Sequence, residues 1–202
     1  MSAIRPYRPS DREAVDEICV RTGASGTDAT GLYSDDSLLP DIFAEPYLAY
    51  QPELAFVVDT GDHVAGYVIG VSDTAAFADW YKREWRAGFA ERHPLDTAAT
   101  DAERELIRYG LSYGDRLVPE LGDYPAHLHI DLLPELQGQG FGRRLIRRLL
   151  AELEERGVSA VHLGVSATNT SARAFYNRLG FHELPSSTPE GPSLGIATDA
   201  LI

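Results

Sequence analysis

Residues 126–142 read AHLHIDLLPELQGQGFG and constrain this chain more than any other stretch. His127, His129 and Asp131 alternate with Leu128, Ile130 and Leu132 at a period of two, the pattern of a strand with different chemistry on its two faces. Pro134 lacks a backbone donor and pushes Leu133 toward an extended conformation, so the strand should end there. Gly138, Gly140 and Gly142 then lead directly into the amphipathic run from Arg143 to Leu150. A strand, a glycine-rich turn and a helix N-terminus together bind anions: the turn exposes backbone N–H groups, the first helical turn leaves its own unpaired, and the helix dipole adds partial positive charge. Arg143 and Arg144 reinforce it, and the ligand this device suits is a phosphate or pyrophosphate. Known nucleotide fingerprints do not fit. Gly142 is followed by two arginines where a phosphate-binding loop needs Lys and Ser or Thr, and the three glycines lack the final spacing of the dinucleotide motif. The competing reading of the glycines is a merely tight connection.

Which anion the device can hold is narrowed by charge. The chain carries 31 acidic and 18 basic residues, a formal net charge of −13, so a nucleic-acid polyanion would be repelled over most of the surface. A local cationic patch, Arg143 to Arg148, can still hold one anionic cofactor, while the remaining surface favours a cationic or amine-bearing substrate. At 202 residues there is material for one sizeable core and too little for two, so a single domain over residues 1–202 is expected. The one cysteine, Cys19, excludes an internal disulfide and reads as a small buried hydrophobe. No apolar run approaches membrane-spanning length and no signal-type h-region follows Arg5 and Arg8, which points to a cytoplasmic protein without membrane contact.

Taken in order, Ile4 to Arg8 predicts a first strand. Ser10 to Glu13 reads as a capping box with Ser10 as the cap, followed by a helix burying Ala14, Val15, Ile18 and Cys19. Gly23 to Gly31 is a loop near the binding cleft. Leu38 to Tyr50 is helical but kinked or split by Pro46. Leu54 to Val58 and His63 to Val71 form a hairpin about Thr60-Gly61-Asp62, with Gly66 and Gly70 marking a bulge or close backbone approach. From Asp73 to Tyr124 the chain becomes a helical insertion. Phe77, Trp80, Tyr81, Trp85 and Phe89 recur at helical spacing, and Asp101 to Tyr109 predicts a second helix. These aromatics read first as packing; the alternative is that the block walls a substrate cleft or offers a homodimer surface. Beyond the central turn, a helix to Arg156 ends at Gly157, Val158 to Val165 is a strand, and Thr170 can cap a helix over Ser171 to Leu179 that ends at Gly180. Phe181 to Leu184 is a further strand and Leu194 to Ala197 a last edge strand.

With these elements in place, Gln137-x-x-Gly140-x-Gly142 after a strand, then Asn169, then Ala174-Phe175-Tyr176-Asn177-Arg178-Leu179-Gly180-Phe181, resembles the Gcn5-related N-acetyltransferase (GNAT) family. The stretches Pro125 to Asp131 and Val161 to Ser166 are also similar to the acetyltransferase-like C-terminal region of O-GlcNAc hydrolases and its free-standing bacterial relatives. The resemblance implies an α/β fold whose mixed sheet of six or seven strands, flanked by helices, splays between the fourth and fifth strands, with the insertion of about residues 73–124 between the third and fourth. It implies acetyl-CoA as cofactor, released as CoA. Backbone groups of Gln137, Gly138, Gln139, Gly140, Phe141, Gly142 and Arg143 would hold the pyrophosphate, and Leu132 and Leu133 would pair with pantetheine as an added strand does. Asn169, with Ala172, Phe175 and Tyr176, would lie along the cofactor arm, Tyr176 near the thioester sulfur.

Acyl transfer to an amine needs a neutral amine, a polarised carbonyl and a proton for the departing thiolate. Tyr176 suits the last role, since a phenol ordinarily titrates near about 10 and donates without ionising first; its other reading is a core aromatic beside Phe175. His127, His129 and Asp131 share one strand face. His129 is the first choice for general base, with Asp131 as its orienting carboxylate or as a binder of cationic substrate, and His162 on the next strand can join. The same residues would equally make a buried network that only fixes the sheet. They also permit a His-His-carboxylate metal set, but the implied chemistry requires no metal and none is expected. The function expected is therefore acetyl transfer from acetyl-CoA to a primary amine of a small molecule or protein; the alternative is a module that binds acetyl-CoA without catalysis.

Overall fold

The computed structural model describes residues 2–115 and 117–202. Seven strands build one mixed sheet: β1 (Ala3–Pro6), β2 (Ala55–Asp59), β3 (Val64–Val71), β4 (Ala126–Leu132), β5 (Ala160–Gly164), β6 (His182–Glu183) and β7 (Ser193–Ala197), in the spatial order β1-β2-β3-β4-β5-β7-β6. Every neighbouring pair is antiparallel except β4 and β5, which run parallel and pair only at Ala126 with Val161 and His127 with His162. Both strands continue beyond that point, so the sheet opens between them. This is the splayed α/β architecture expected.

The period-two alternation of β4 divides the core. On one face Asp131 meets Tyr67 of β3 and the helix α1 (Arg12–Thr22), which buries Val15, Ile18 and Cys19. On the other, α7 (Phe141–Glu155) lays Leu145, Ile146, Leu149, Leu150 and Leu153 against the sheet, all of them buried. Gly70 permits that approach, because a Cβ there would stand 3.2 Å from Leu149 Cδ2 and 3.0 Å from the His127 carbonyl oxygen. The hairpin irregularity expected near Gly66 occurs as a register shift between Val58 and Asp59.

Between β3 and β4 lie α4 (Thr74–Trp80), a π turn (Tyr81–Trp85), α5 (Arg86–Arg92) and α6 (Asp101–Leu111). Phe77, Tyr81, Trp85 and Phe89 are spaced by four, which drifts round a helix of 3.6 residues per turn; the wider π turn takes up the excess and keeps Phe77, Tyr81 and Phe89 buried. Trp85 packs rather than facing a cleft, its indole N–H donating to the Asp41 carbonyl at 2.9 Å.

Four local expectations are corrected. Asp11, not Ser10, organises the entry to α1: its carboxylate accepts the Arg8 amide at 2.8 Å and the Arg5 guanidinium at 2.7 and 2.9 Å, a charged partner that a serine could not hold. The Leu38 to Tyr50 region does split into two short helices as expected, α2 (Pro40–Phe43) and α3 (Glu45–Tyr50), but the break falls at Ala44, and Pro46 sits in the first turn of α3, where its missing N–H costs nothing. Asn169, not Thr170, caps α8 (Thr170–Leu179), its Oδ1 accepting the Ala172 amide at 3.0 Å. The last strand, β7, is not at the edge, since it pairs with β5 on one side and β6 on the other. Among the described residues no helix is long and apolar enough to cross a membrane.

Candidate functional site

The opening between β4 and β5 feeds two cavities, and consecutive residues of β4 wall both. Ile130, Asp131 and Leu132 line a cleft of about 550 Å³; His127, Leu128 and His129 line a chamber of about 410 Å³.

The first cleft receives the glycine turn. Gly138 and Gly140 adopt φ +71° and +81°, the left-handed region that glycine enters without strain, and a Cβ at either would point into open space. Gly140 is the N-cap of α7, and its carbonyl accepts the Arg144 amide at 3.2 Å. The amides of Phe141, Gly142 and Arg143 therefore have no acceptor within the helix and are available to an anion at its positive end. Gly142 lies under Phe175, where a Cβ would stand 2.9 Å from the ring. Gln137, Arg143, Asn169, Ala172 and Tyr176 complete the side of the cleft that the sequence indicates. The turn conformation, the unpaired helical amides and the exposed Arg143 suit a diphosphate.

Three predicted cofactor residues do not line this cleft with their side chains. Leu133 is buried and its amide donates to the Ala65 carbonyl at 2.9 Å, so it is committed to β3. By the alternation of an antiparallel ladder, the backbone groups of Ile130 and Leu132 point the other way, into the opening. Ile130 thus takes the place expected for Leu133, and the Leu132 carbonyl already accepts the Gln137 side-chain amide at 3.1 Å. Gln139 turns its side chain back to the Glu135 carbonyl, and Phe141 is buried beneath the Arg144 guanidinium. The opposite wall is Thr22, the last residue of α1, with Ser25 to Thr27 of the loop read as lying near the cleft; a Cβ on Gly26 would stand 3.4 Å from Asn169 Nδ2.

Tyr176 is buried, and burial first, then the negative charge of Asp131, pushes its phenol well above the ordinary range. It holds its proton under all ordinary conditions. Asp131 accepts from Tyr67 Oη at 2.6 Å, and burial raises its carboxyl despite that bond and one from Thr22. The structure corrects the expectation that Asp131 orients His129. Each group bonds across to a different helix or strand instead of to its neighbour two residues along.

In the second chamber His129 Nε2 contacts Tyr47 Oη at 2.9 Å, and His127 Nε2 contacts the same oxygen at 2.6 Å. His127 Nδ1 lies 2.8 Å from Thr74 Oγ1, and Tyr113 bonds Tyr47 hydroxyl to hydroxyl. Burial depresses both imidazoles, His129 to about 4, so both are neutral near pH 7. His162 also lines the chamber but donates from Nδ1 to the Tyr124 carbonyl at 2.9 Å, outside the Tyr47 network. Phe43, Thr74, Phe77, Tyr109 and Tyr113 wall the space, the last four from the segment between β3 and β4. Tyr47 stands 80 residues from His127 in sequence, and no local pattern could have joined them. Among the described residues no cluster of His, Cys, Asp or Glu is placed to hold a metal ion.

Comparison with known proteins agrees with this geometry. The profile of the Acetyltransferase (GNAT) family matches residues 28–181. Protein O-GlcNAcase of Rattus norvegicus is 23% identical over 184 residues, 90% of this chain but 20% of that protein. Ribosomal protein bS18-alanine N-acetyltransferase of Escherichia coli K12 is 42% identical over 69 residues, 34% of this chain and 47% of that one. The chain thus spans a fifth to a half of the length of these relatives. The crystal structure of SsHAT is 48% identical and superposes with a TM-score of 0.89 over 98% of both chains. The profile matches residues 28–181, more than half of the chain, and the chain belongs to the acetyltransferase (GNAT) family, whose members use acetyl-CoA.

Proposed function

We propose that this protein transfers an acetyl group from acetyl-CoA to a primary amine of a small molecule or a protein by direct attack. The observation that carries the proposal is the single strand walling both cavities: between His129 and Ile130 the chain passes from the amine chamber to the cofactor cleft. The N-acetyltransferase relative, named for an alanine of a ribosomal protein, supports an amine as acceptor.

The amides of Phe141, Gly142 and Arg143, with the Arg143 side chain, would hold the diphosphate, and the backbone of Ile130 and Leu132 would pair with the pantetheine arm. The bound cofactor supplies an acetyl thioester as the activated acyl group. His129, neutral in its buried setting, accepts a proton from the amine nitrogen as the C–N bond forms. Its low basicity is adequate because a nitrogen gaining positive charge becomes a much stronger acid than the free ammonium. With the cofactor bound, Tyr176 would act as the acid toward the departing thiolate by presenting its O–H to the sulfur, and its raised pKa keeps that proton on the phenol so that the hydrogen bond is there when the sulfur gains charge.

Tyr176→Phe tests the reading. With a panel of primary amines and thiol release as the assay, kcat should fall by about a hundredfold while the Kd for acetyl-CoA changes by less than about twofold. Equal kinetics in variant and parent across the pH range would exclude the role. Saturable acetyl-CoA binding with no amine acetylated would instead identify a binding module.

A further inference from the structure

The chamber contains a chain of hydrogen bonds whose direction is determined at one end. Thr74 Oγ1 lies 2.7 Å from the Pro125 carbonyl oxygen. A carbonyl only accepts, so the single hydroxyl proton of Thr74 is spent there. The contact between Thr74 Oγ1 and His127 Nδ1, at 2.8 Å, must then be donated by His127, which places the proton of that neutral ring on Nδ1 and leaves Nε2 bare. Bare Nε2 accepts from Tyr47 Oη at 2.6 Å. Having given its one proton to His127, Tyr47 can only accept at its remaining contacts, from the Tyr113 hydroxyl and from His129 Nε2 at 2.9 Å. The reverse arrangement, with Tyr47 donating to His129, would set its oxygen against a nitrogen lone pair at 2.6 Å.

We infer that Thr74, through His127 and Tyr47, holds His129 as the Nε2–H tautomer, so that Nδ1 is the nitrogen that takes the proton of the acceptor amine. The inference rests on the acetyl-transfer reading only for that last clause; the tautomers follow from the hydrogen bonds. Thr74, His127 and Tyr47 are positioning residues. When a proton arrives at His129 Nδ1, the Nε2–H bond to Tyr47 is retained, and no other proton in the chain has to move. The histidine two residues away is held in the opposite tautomer, although the two share a strand face and a hydroxyl partner.

Long-range ¹H–¹⁵N correlation spectra of the imidazoles, recorded near pH 7 on the whole protein, read this directly. The expected result is His127 protonated on Nδ1 and His129 on Nε2. Thr74→Val removes the acceptor for His127 Nδ1–H, so the chain should reverse: the proton moves to Nε2 in His127 and to Nδ1 in His129. The same change should lower kcat by about a hundredfold, the scale of a lost general base, and leave the KM for acetyl-CoA unchanged. Thr74→Ser, which keeps the hydroxyl, should retain the parental tautomers and rate. His127 carrying its proton on Nε2 in the parent would overturn the inference without any variant, as would a folded Thr74→Val protein with His129 unchanged. If the tautomers are as stated but no amine is acetylated, the acetyl-transfer reading fails and the hydrogen-bond assignment stands.

Discussion

Replacing His129 with Gln tests whether the second chamber is as dry as its lining implies. Burial lowers the His129 pKa from 6.5 to about 4 in the folded protein, while the unfolded chain keeps the ordinary value. Between those two values the unfolded state binds more protons than the native state, so stability falls as pH falls; the full contribution is present above pH 6.5 and is lost on approach to pH 4. Each unit of separation is worth about 1.4 kcal/mol, so acidification from pH ~7 to pH ~5 should cost about 2 kcal/mol through His129 alone. The absolute stability is not the quantity to read. Asp16, raised to about 8 chiefly by burial and then by Glu45, has the opposite sign and stabilises the fold as pH falls over the same interval. Comparison with His129→Gln cancels Asp16 and retains a side-chain amide able to donate to Tyr47. Urea denaturation at the two pH values should show the parent losing about 2 kcal/mol more than the variant. An equal loss in both proteins would mean that His129 is solvated and titrates normally, and the argument from burial would fail.

Other substitutions probe the first cleft. Gly140→Ala should destabilise the protein by about 1–2 kcal/mol, the cost of a side chain in the left-handed region, measured by thermal or urea unfolding; no steric contact adds to it, since nothing lies within 4 Å of the added Cβ. Gly142→Ala should leave the fold almost as stable, because alanine favours the helix, yet weaken CoA binding by about tenfold in calorimetry as Phe175 is displaced into the cleft. Unchanged affinity would show that the ring moves elsewhere. Asn169→Ala should cost about 1 kcal/mol through loss of the α8 cap, and hydrogen exchange should rise at the Ala172 amide.

The period-two strand, the glycine turn and the arginine-bearing helix were legible because each is a local pattern: alternation sets the faces, Pro134 ends the strand, and glycine spacing prepares the amides. The same locality explains the misreadings. Ser10 and Thr170 are competent caps by type, but Asp11 could recruit Arg5 and Arg8, and Asn169 already sat one residue ahead of Thr170 with an oxygen within 3.0 Å of the Ala172 amide. Leu133 reads as the natural continuation of β4, whereas the ladder parity that turns its amide toward Ala65 depends on the register with β3.

Sequence alone determined that a strand bearing two histidines and a carboxylate leads through a glycine turn into a helix start, since propensity, chirality and proline chemistry act over a few residues. Only the tertiary structure decided what those side chains do. Their partners, Tyr47 from α3, Thr74 from α4, Tyr113 beyond α6 and Tyr67 from β3, arrive from distant parts of the chain. Burial that holds His129 neutral and Tyr176 protonated is likewise a property of packed neighbours, and the direction of a hydrogen-bond chain exists only once all its members are in place.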